Sequence, residues 1–375
     1  MTGALAGLLA VLLITSAPAD DTARDRQWQL QQLRLPEAWR TSRGEGVLVA
    51  VLDTGVDDRH PDLRGVVTQG PDLTGSTRPR KLWGHHGTAM ASLIAGHGHG
   101  DGRGVLGVAP AAMVLSIRVT LENDDPQRGK QSTAGRDALA RGIRYAVDHG
   151  ADIVSMSLGG GSGSWEGSAD EEEAVQYALE RGAVLVASSG NDGDTTNRKN
   201  FPAAYPGVIA VGAVDRSLKV ARFSNRQEYL SVVAPGTGII SADGPDSYVI
   251  GDGTSSAAAM VTGIAALIMS KHPDLTPLQV RRSIERGTRA RPYGGHNRSY
   301  GHGVVNAWLA LKEAAKLARP TPLKANARPS AYFGGGPPPG EPSSRIFVVL
   351  SLVLLAGAMG VRVVVLHLRQ RKTVT

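Results

Sequence analysis

The feature that most constrains this chain is a set of short, unbroken apolar runs separated by helical patterns. The runs cover residues 47–52, 113–119, 153–158, 184–187, 208–214 and 232–234, and they are rich in Val, Ile and Leu. A strand that is apolar on both faces must be covered on both faces, which is the signature of a parallel sheet rather than a half-solvated antiparallel one. Helical patterns alternate with them at 87–95, 134–147, 171–181, 255–271, 277–285 and 306–316. That alternation predicts an α/β fold: a doubly wound, mostly parallel sheet flanked by helices. In such a fold, reactive residues collect just beyond the carboxyl ends of the strands.

Polar residues with chemical potential stand at those places. Asp53 closes the run Val47-Leu48-Val49-Ala50-Val51-Leu52 and precedes Thr54-Gly55. His86 opens His86-Gly87-Thr88 at the start of a helix. Asn191 follows the run at 184–187 in Ser189-Gly190-Asn191. Ser255 ends Gly253-Thr254-Ser255 at the head of a long apolar helix. Taken singly, each has a plainer role. Asp53 can cap a turn, His86 can be a surface histidine, one of ten histidines in the chain, Asn191 can sit in a turn, and Ser255 can be an N-cap. Taken together, an acid, an imidazole and a hydroxyl in the order Asp, His, Ser form the set needed to activate a serine.

The motifs Asp53-Thr54-Gly55, His86-Gly87-Thr88, Ser157-Leu158-Gly159, Ser189-Gly190-Asn191 and Gly253-Thr254-Ser255 resemble those of the subtilisin-like serine proteases, over about residues 28–317. The resemblance implies that Asp53 orients His86, His86 acts as general base and Ser255 is the nucleophile. It also implies that Asn191 and the Ser255 N–H form an oxyanion hole, and that Ser157, Leu158 and Gly159 pair with the substrate as an edge strand. Ser256 lies one place beyond the motif's reactive position. Two departures stand out. The proline usual in the helix after the nucleophile is missing, and His85 replaces the commoner glycine before the histidine. Small, mostly neutral residues at 157–161 and 188–191 lead us to expect small or medium apolar side chains at the cleaved bond.

The ends of the chain suggest a location. Residues 1–19 carry an apolar stretch and an Ala17-Pro18-Ala19 site, a secretory signal pattern without a basic n-region. Residues 20–27 form a short extension, and 28–317 the peptidase domain. Residues 318–344, with Gly334 to Gly340 all Gly or Pro, read as a tether. An apolar run at 345–368 is long enough for one C-terminal transmembrane helix if Arg362 snorkels. The basic tail at 369–375 should then stay in the cytoplasm, with the catalytic domain outside. This layout resembles the mycosins, membrane-anchored subtilases of type VII secretion systems. It implies a role in processing substrates of such a system or stabilising it, with protein or peptide substrates, the membrane and secretion-complex subunits as partners. A general tethered extracellular subtilase and a mainly structural component of a membrane complex are the alternatives.

Charge and cysteine content exclude other classes. The net charge is +7, but eight of 41 basic residues and one of 34 acidic ones lie from Arg319 onward, leaving 33 of each before it. The domain has no excess positive charge for a nucleic-acid footprint, so no nucleic-acid partner is expected. With no cysteine, disulfides and thiolate chemistry are excluded. No cofactor is expected. Subtilases often hold structural calcium, yet no oxygen-rich loop here specifies ligands. Asp57, Asp58 and Asp62 read as turn and helix-start residues, and His97-Gly98-His99-Gly100-Asp101 as a glycine-rich surface loop.

Overall fold

The computed structural model describes residues 15–16, 23–79, 83–100, 102–127, 137–159 and 166–319. The expected transmembrane helix, the basic tail and nearly all of the signal segment lie outside them. A two-residue strand at Thr15–Ser16 pairs antiparallel with Val249 and Ile250.

The elements that build the site follow in chain order. They are β1 (Leu48–Asp53), β2 (Val67–Asp72), α1 (His85–Ala95), β3 (Met113–Arg118), α2 (Ala138–Asp148), β4 (Ile153–Met156) and α3 (Ala169–Glu180). Next come β5 (Val184–Ser188), β6 (Ile209–Val214), β7 (Leu230–Pro235), β8 (Ile239–Asp243), β9 (Ser247–Gly251) and α4 (Thr254–Lys271). The last are α5 (Pro277–Arg286), β10 (Thr288–Arg289), β11 (Val304–Val305) and α6 (Ala307–Leu317).

The main sheet has nine strands in the order β2-β3-β1-β4-β5-β6-β7-β11-β10. Every pairing is parallel except β10 with β11 at one edge. The strand order reverses at β1, so the crevice outside its carboxyl end is the topological switch point. β8 and β9 form an antiparallel hairpin outside this sheet.

Side-chain parity decides which layer each strand residue joins. Val49 and Val51 of β1 enter one core with α1 and α4, whereas Ala50 and Leu52 enter the other with α2 and α3. Successive strand residues face opposite sides, so Asp53 falls on the same face as Val49 and Val51. That is the face covered by the two helices that carry His86 and Ser255.

Helix α4 is buried nearly all round, as a helix that is apolar all round must be. Among the described residues it alone is long and apolar enough to cross a membrane, yet 83% of it lies inside the domain, as a core helix. Local sequence fixes other helix starts. Thr276 and Gln279 form a capping box that encloses Pro277, and Ser168 and Asn306 cap α3 and α6.

The structure adds elements that the apolar runs do not announce. β2, the edge strand Val-Thr-Gln-Gly-Pro-Asp, is mostly polar and half-exposed, so it lacks the apolar signal. The expected strand at 153–158 stops at Met156, which frees Ser157 to Gly159 from the ladder.

Candidate active site

Asp53 is 1% exposed at the end of β1. Its Oδ1 accepts from the Thr54 N–H at 2.7 Å and lies 2.7 Å from His86 Nδ1. Its Oδ2 is buried without a hydrogen-bond partner. The imidazole itself is about one-third exposed, so the pair runs from the core to the surface. Two glycines make this approach possible. A Cβ on Gly87 would lie 2.0 Å from the Gly55 carbonyl oxygen, and one on Gly55 would lie 2.1 Å from the Trp83 ring, at φ +98°. Gly87 lets helix α1 touch the turn after β1, and Gly55 lets that turn pack under the Trp83 ring, because each lacks a side chain.

Ser255 sits in the first turn of α4, but it is not the N-cap. Gly253 holds that position with no side-chain cap, which overturns the plainer reading of Ser255. The Ser255 hydroxyl instead donates to the Ser157 carbonyl at 3.0 Å, and the Ser157 hydroxyl donates back to the Ser255 carbonyl at 3.1 Å. Ser256, by contrast, is buried.

Asn191 is exposed at its place beyond β5, and its orientation is fixed by Thr254. Asn191 Oδ1 accepts both the Thr254 N–H and its hydroxyl at 2.9 Å. With the oxygen so engaged, the Nδ2 group is left as the donor on the side of Gly253. Thr254 is fully buried and also accepts the Gly190 N–H, which ties the two loops together. The structure therefore brings Asp53 to His86, Ser157 to Ser255, and Asn191 to Thr254, the residue before Ser255.

Around this group, Ser188 donates to the Leu158 carbonyl at 3.2 Å, and Asn200 Nδ2 donates to the Ser188 carbonyl at 3.0 Å. Asn200 is 1% exposed and stands behind the cleft between the two post-strand loops. Nothing in its local sequence, Lys199-Asn200-Phe201, marks it. Glu122 is a second residue the motifs do not reveal. It accepts from backbone N–H groups at the start of α1. Beside His86, His85 Nδ1 lies 2.7 Å from Asp243 Oδ1. That hydrogen bond outweighs partial burial and pushes the His85 imidazole above its ordinary range.

Asp62 does start a short 3-10 turn at Pro61–Leu63, as expected, but its carboxylate is a buried hub. It accepts from the Val105 N–H and the Tyr248 hydroxyl and lies 2.6 Å from His99 Nδ1. His99 is thus built into the interior of a hairpin rather than displayed on a surface loop; Asp101 lies outside the described residues. Among the described residues, no three His, Asp or Glu side chains converge to hold a metal ion.

Comparison with known proteins agrees with this geometry. The Subtilase family model matches residues 44–303. Thermitase from Thermoactinomyces vulgaris is 34% identical over 295 residues, covering 79% of this chain and 99% of that protein. Fervidolysin from Fervidobacterium pennivorans is 36% identical over 329 residues, covering 78% of this chain but only 46% of its own length. The fervidolysin crystal structure superposes with a TM-score of 0.68, covering 78% of this chain and 47% of that one at 33% identity. That of MycP1 from Mycobacterium smegmatis does so at 0.66, with 28% identity over 80% of this chain and 87% of that one. The chain belongs to the subtilase family and is a subtilisin-like serine endopeptidase.

Proposed function

We propose that Ser255 is the nucleophile of this endopeptidase, His86 its general base and Asp53 the group that orients the base. The observation that carries the reading is the 2.7 Å contact between a buried carboxylate and a partly exposed imidazole at the sheet's switch point. The Ser255 hydroxyl rotates away from the Ser157 carbonyl and gives its proton to the imidazole as Oγ attacks the scissile carbonyl carbon. Asn191 Nδ2 and the Ser255 N–H at the head of α4 donate to the oxyanion that develops. The imidazolium then protonates the leaving amine as the C–N bond breaks. Water, deprotonated by His86, releases the acyl group from Ser255. Ser157 to Gly159, free of the sheet ladder, offer a backbone edge to an extended substrate.

We further propose that the enzyme is anchored by residues 345–368 with its catalytic domain outside the cytoplasm, and that it serves a type VII secretion system. The likeness to MycP1, described as part of the ESX-1 type VII system, supports this reading. The higher identity to thermitase favours the alternative of a general tethered protease.

A membrane-impermeant fluorophosphonate applied to intact spheroplasts tests the site and its location together. Wild type and Ser256→Ala should label, and Ser255→Ala should not. Labelling of Ser255→Ala would displace the nucleophile, and labelling only after lysis would overturn the location. Terminal proteomics of wild-type and Ser255→Ala cells separates the two roles: new termini confined to secreted substrates of the system support the first, and broadly scattered ones the second.

A further inference from the structure

The first N–H groups of a helix have no partner within it, and at α1 they belong to the residues around the proposed general base. One atom collects them. Glu122 Oε1 accepts from Gly84 N at 2.9 Å and His85 N at 2.8 Å, and reaches His86 N at 3.4 Å. Glu122 is 8% exposed, so it is a largely desolvated anion at the positive end of a helix. The segment that carries it also grips the other half of the pair. Beyond β3, Val119 N and Thr120 N both donate to the Asp53 carbonyl, at 2.9 and 3.3 Å. Three residues of one four-residue segment, Val119, Thr120 and Glu122, thus hold the backbones of both Asp53 and His86.

We propose that Glu122 is a positioning residue for catalysis, a carboxylate that fixes the start of α1 so that His86 stays in register with Asp53. It acts through the backbone and through its charge, which favours the imidazolium formed as Ser255 loses its proton. Other charged groups share this region. His85 is held by Asp243, Asp125 pairs with Arg78, and Arg118 pairs with Asp72. Asp124 acts on His85 in the same direction as Glu122, both weaker than the Asp243 hydrogen bond. The proposal rests on the catalytic reading of Asp53, His86 and Ser255.

The test is the second-order rate of fluorophosphonate labelling of the full chain from about pH 5 to 9, with thermal unfolding measured alongside. Glu122→Gln keeps an oxygen acceptor and loses the charge. It should slow labelling roughly 3- to 10-fold and move the acidic limb to lower pH by a few tenths of a unit, since removal of a neighbouring anion makes the imidazole easier to deprotonate. Glu122→Ala should slow it about 10²-fold, the scale of a small misplacement of a catalytic group. Should Glu122→Ala fail to fold, the limb of Glu122→Gln decides alone. A Glu122→Gln enzyme with an unmoved limb overturns the proposal, whatever its melting temperature. A wild-type chain that labels equally after Ser255→Ala removes the catalytic reading, and this inference with it.

Discussion

Two buried aspartates in this domain hold histidines through the same atoms, yet we assign only one pair to catalysis. Asp53 lies 2.7 Å from His86 Nδ1 and Asp62 lies 2.6 Å from His99 Nδ1. The difference is in the remaining valences. Asp62 has both oxygens occupied, by His99 on one and by Val105 N and the Tyr248 hydroxyl on the other. It binds together a 3-10 turn, the hairpin of His97–His99 with Arg103–Leu106, and β9. Asp53 keeps one oxygen buried and unpartnered, and its imidazole leads outward at the switch point of the sheet. An Asp–His contact alone therefore says little about function; what matters is whether the far side of the imidazole meets a reactive group or the protein interior.

Exchanging the two acids for amides should break the comparison most sharply. Asp53→Asn should lower kcat by about 10⁴ with the melting temperature nearly kept, because the amide favours the wrong imidazole tautomer while preserving shape. Asp62→Asn should do the reverse. It should cost on the order of 2–3 kcal/mol of stability, as hydrogen bonds to a buried charge are weakened. Labelling per folded molecule should stay within about threefold of wild type, since its partners are not shared with the catalytic group. Urea unfolding and probe kinetics on both variants decide it. An Asp62→Asn enzyme that is stable but inactive would erase the distinction.

The next effect concerns the donor rather than the acid. Asn191→Ala should reduce kcat by roughly 10²–10³ with little change in KM, because the amide acts on charge that exists only in the transition state. Thr254 fixes which end of the Asn191 amide faces the cleft, so Thr254→Val should reproduce part of that loss. Steady-state kinetics within about threefold of wild type for Asn191→Ala would remove it from the oxyanion hole.

What could be read from the chain follows the same division. The strands of the sheet interior were legible because double burial forces unbroken Val, Ile and Leu. Asp53 and Asn191 could be placed beyond two of those strands and His86 and Ser255 at the heads of two helices, because short motifs mark all four positions. Asp62 looked like a turn residue, because its partners His99, Val105 and Tyr248 are supplied by segments far away in sequence. Glu122 and Asn200 gave no signal for the same reason: a single polar residue in a polar loop becomes informative only when the fold shows what it touches. The half-exposed β2 escaped because an edge strand needs no apolar pattern.

The smallest expected effect separates two further histidines by the sign of their response to pH. His60 is fully buried, and its state is fixed by its bonds: Nδ1 accepts the Asp62 N–H and Nε2 donates to the Ser247 carbonyl. Burial pushes its pKa below the ordinary value, against the opposing pull of Asp62. The unfolded chain therefore takes up a proton near pH 6.5 that the folded one refuses, and stability falls as pH drops below that point. The slope from this one group is at most about 1.4 kcal/mol per pH unit. His85 has the opposite sign. Its pKa is raised by Asp243, so its stabilising contribution is complete below about pH 6.5 and is lost as pH rises through the higher folded value. The pair is about half exposed on the histidine side, so solvent screening keeps the contribution below about 1 kcal/mol. His60→Gln should flatten the stability profile between about pH 5 and 6.5, and His85→Ser should flatten it above about pH 6.5. Each is read as a slope of urea midpoints against pH, not as a level, since His60→Gln also loses packing. A His60→Gln profile that declines toward acid as steeply as wild type would show that other groups carry that limb.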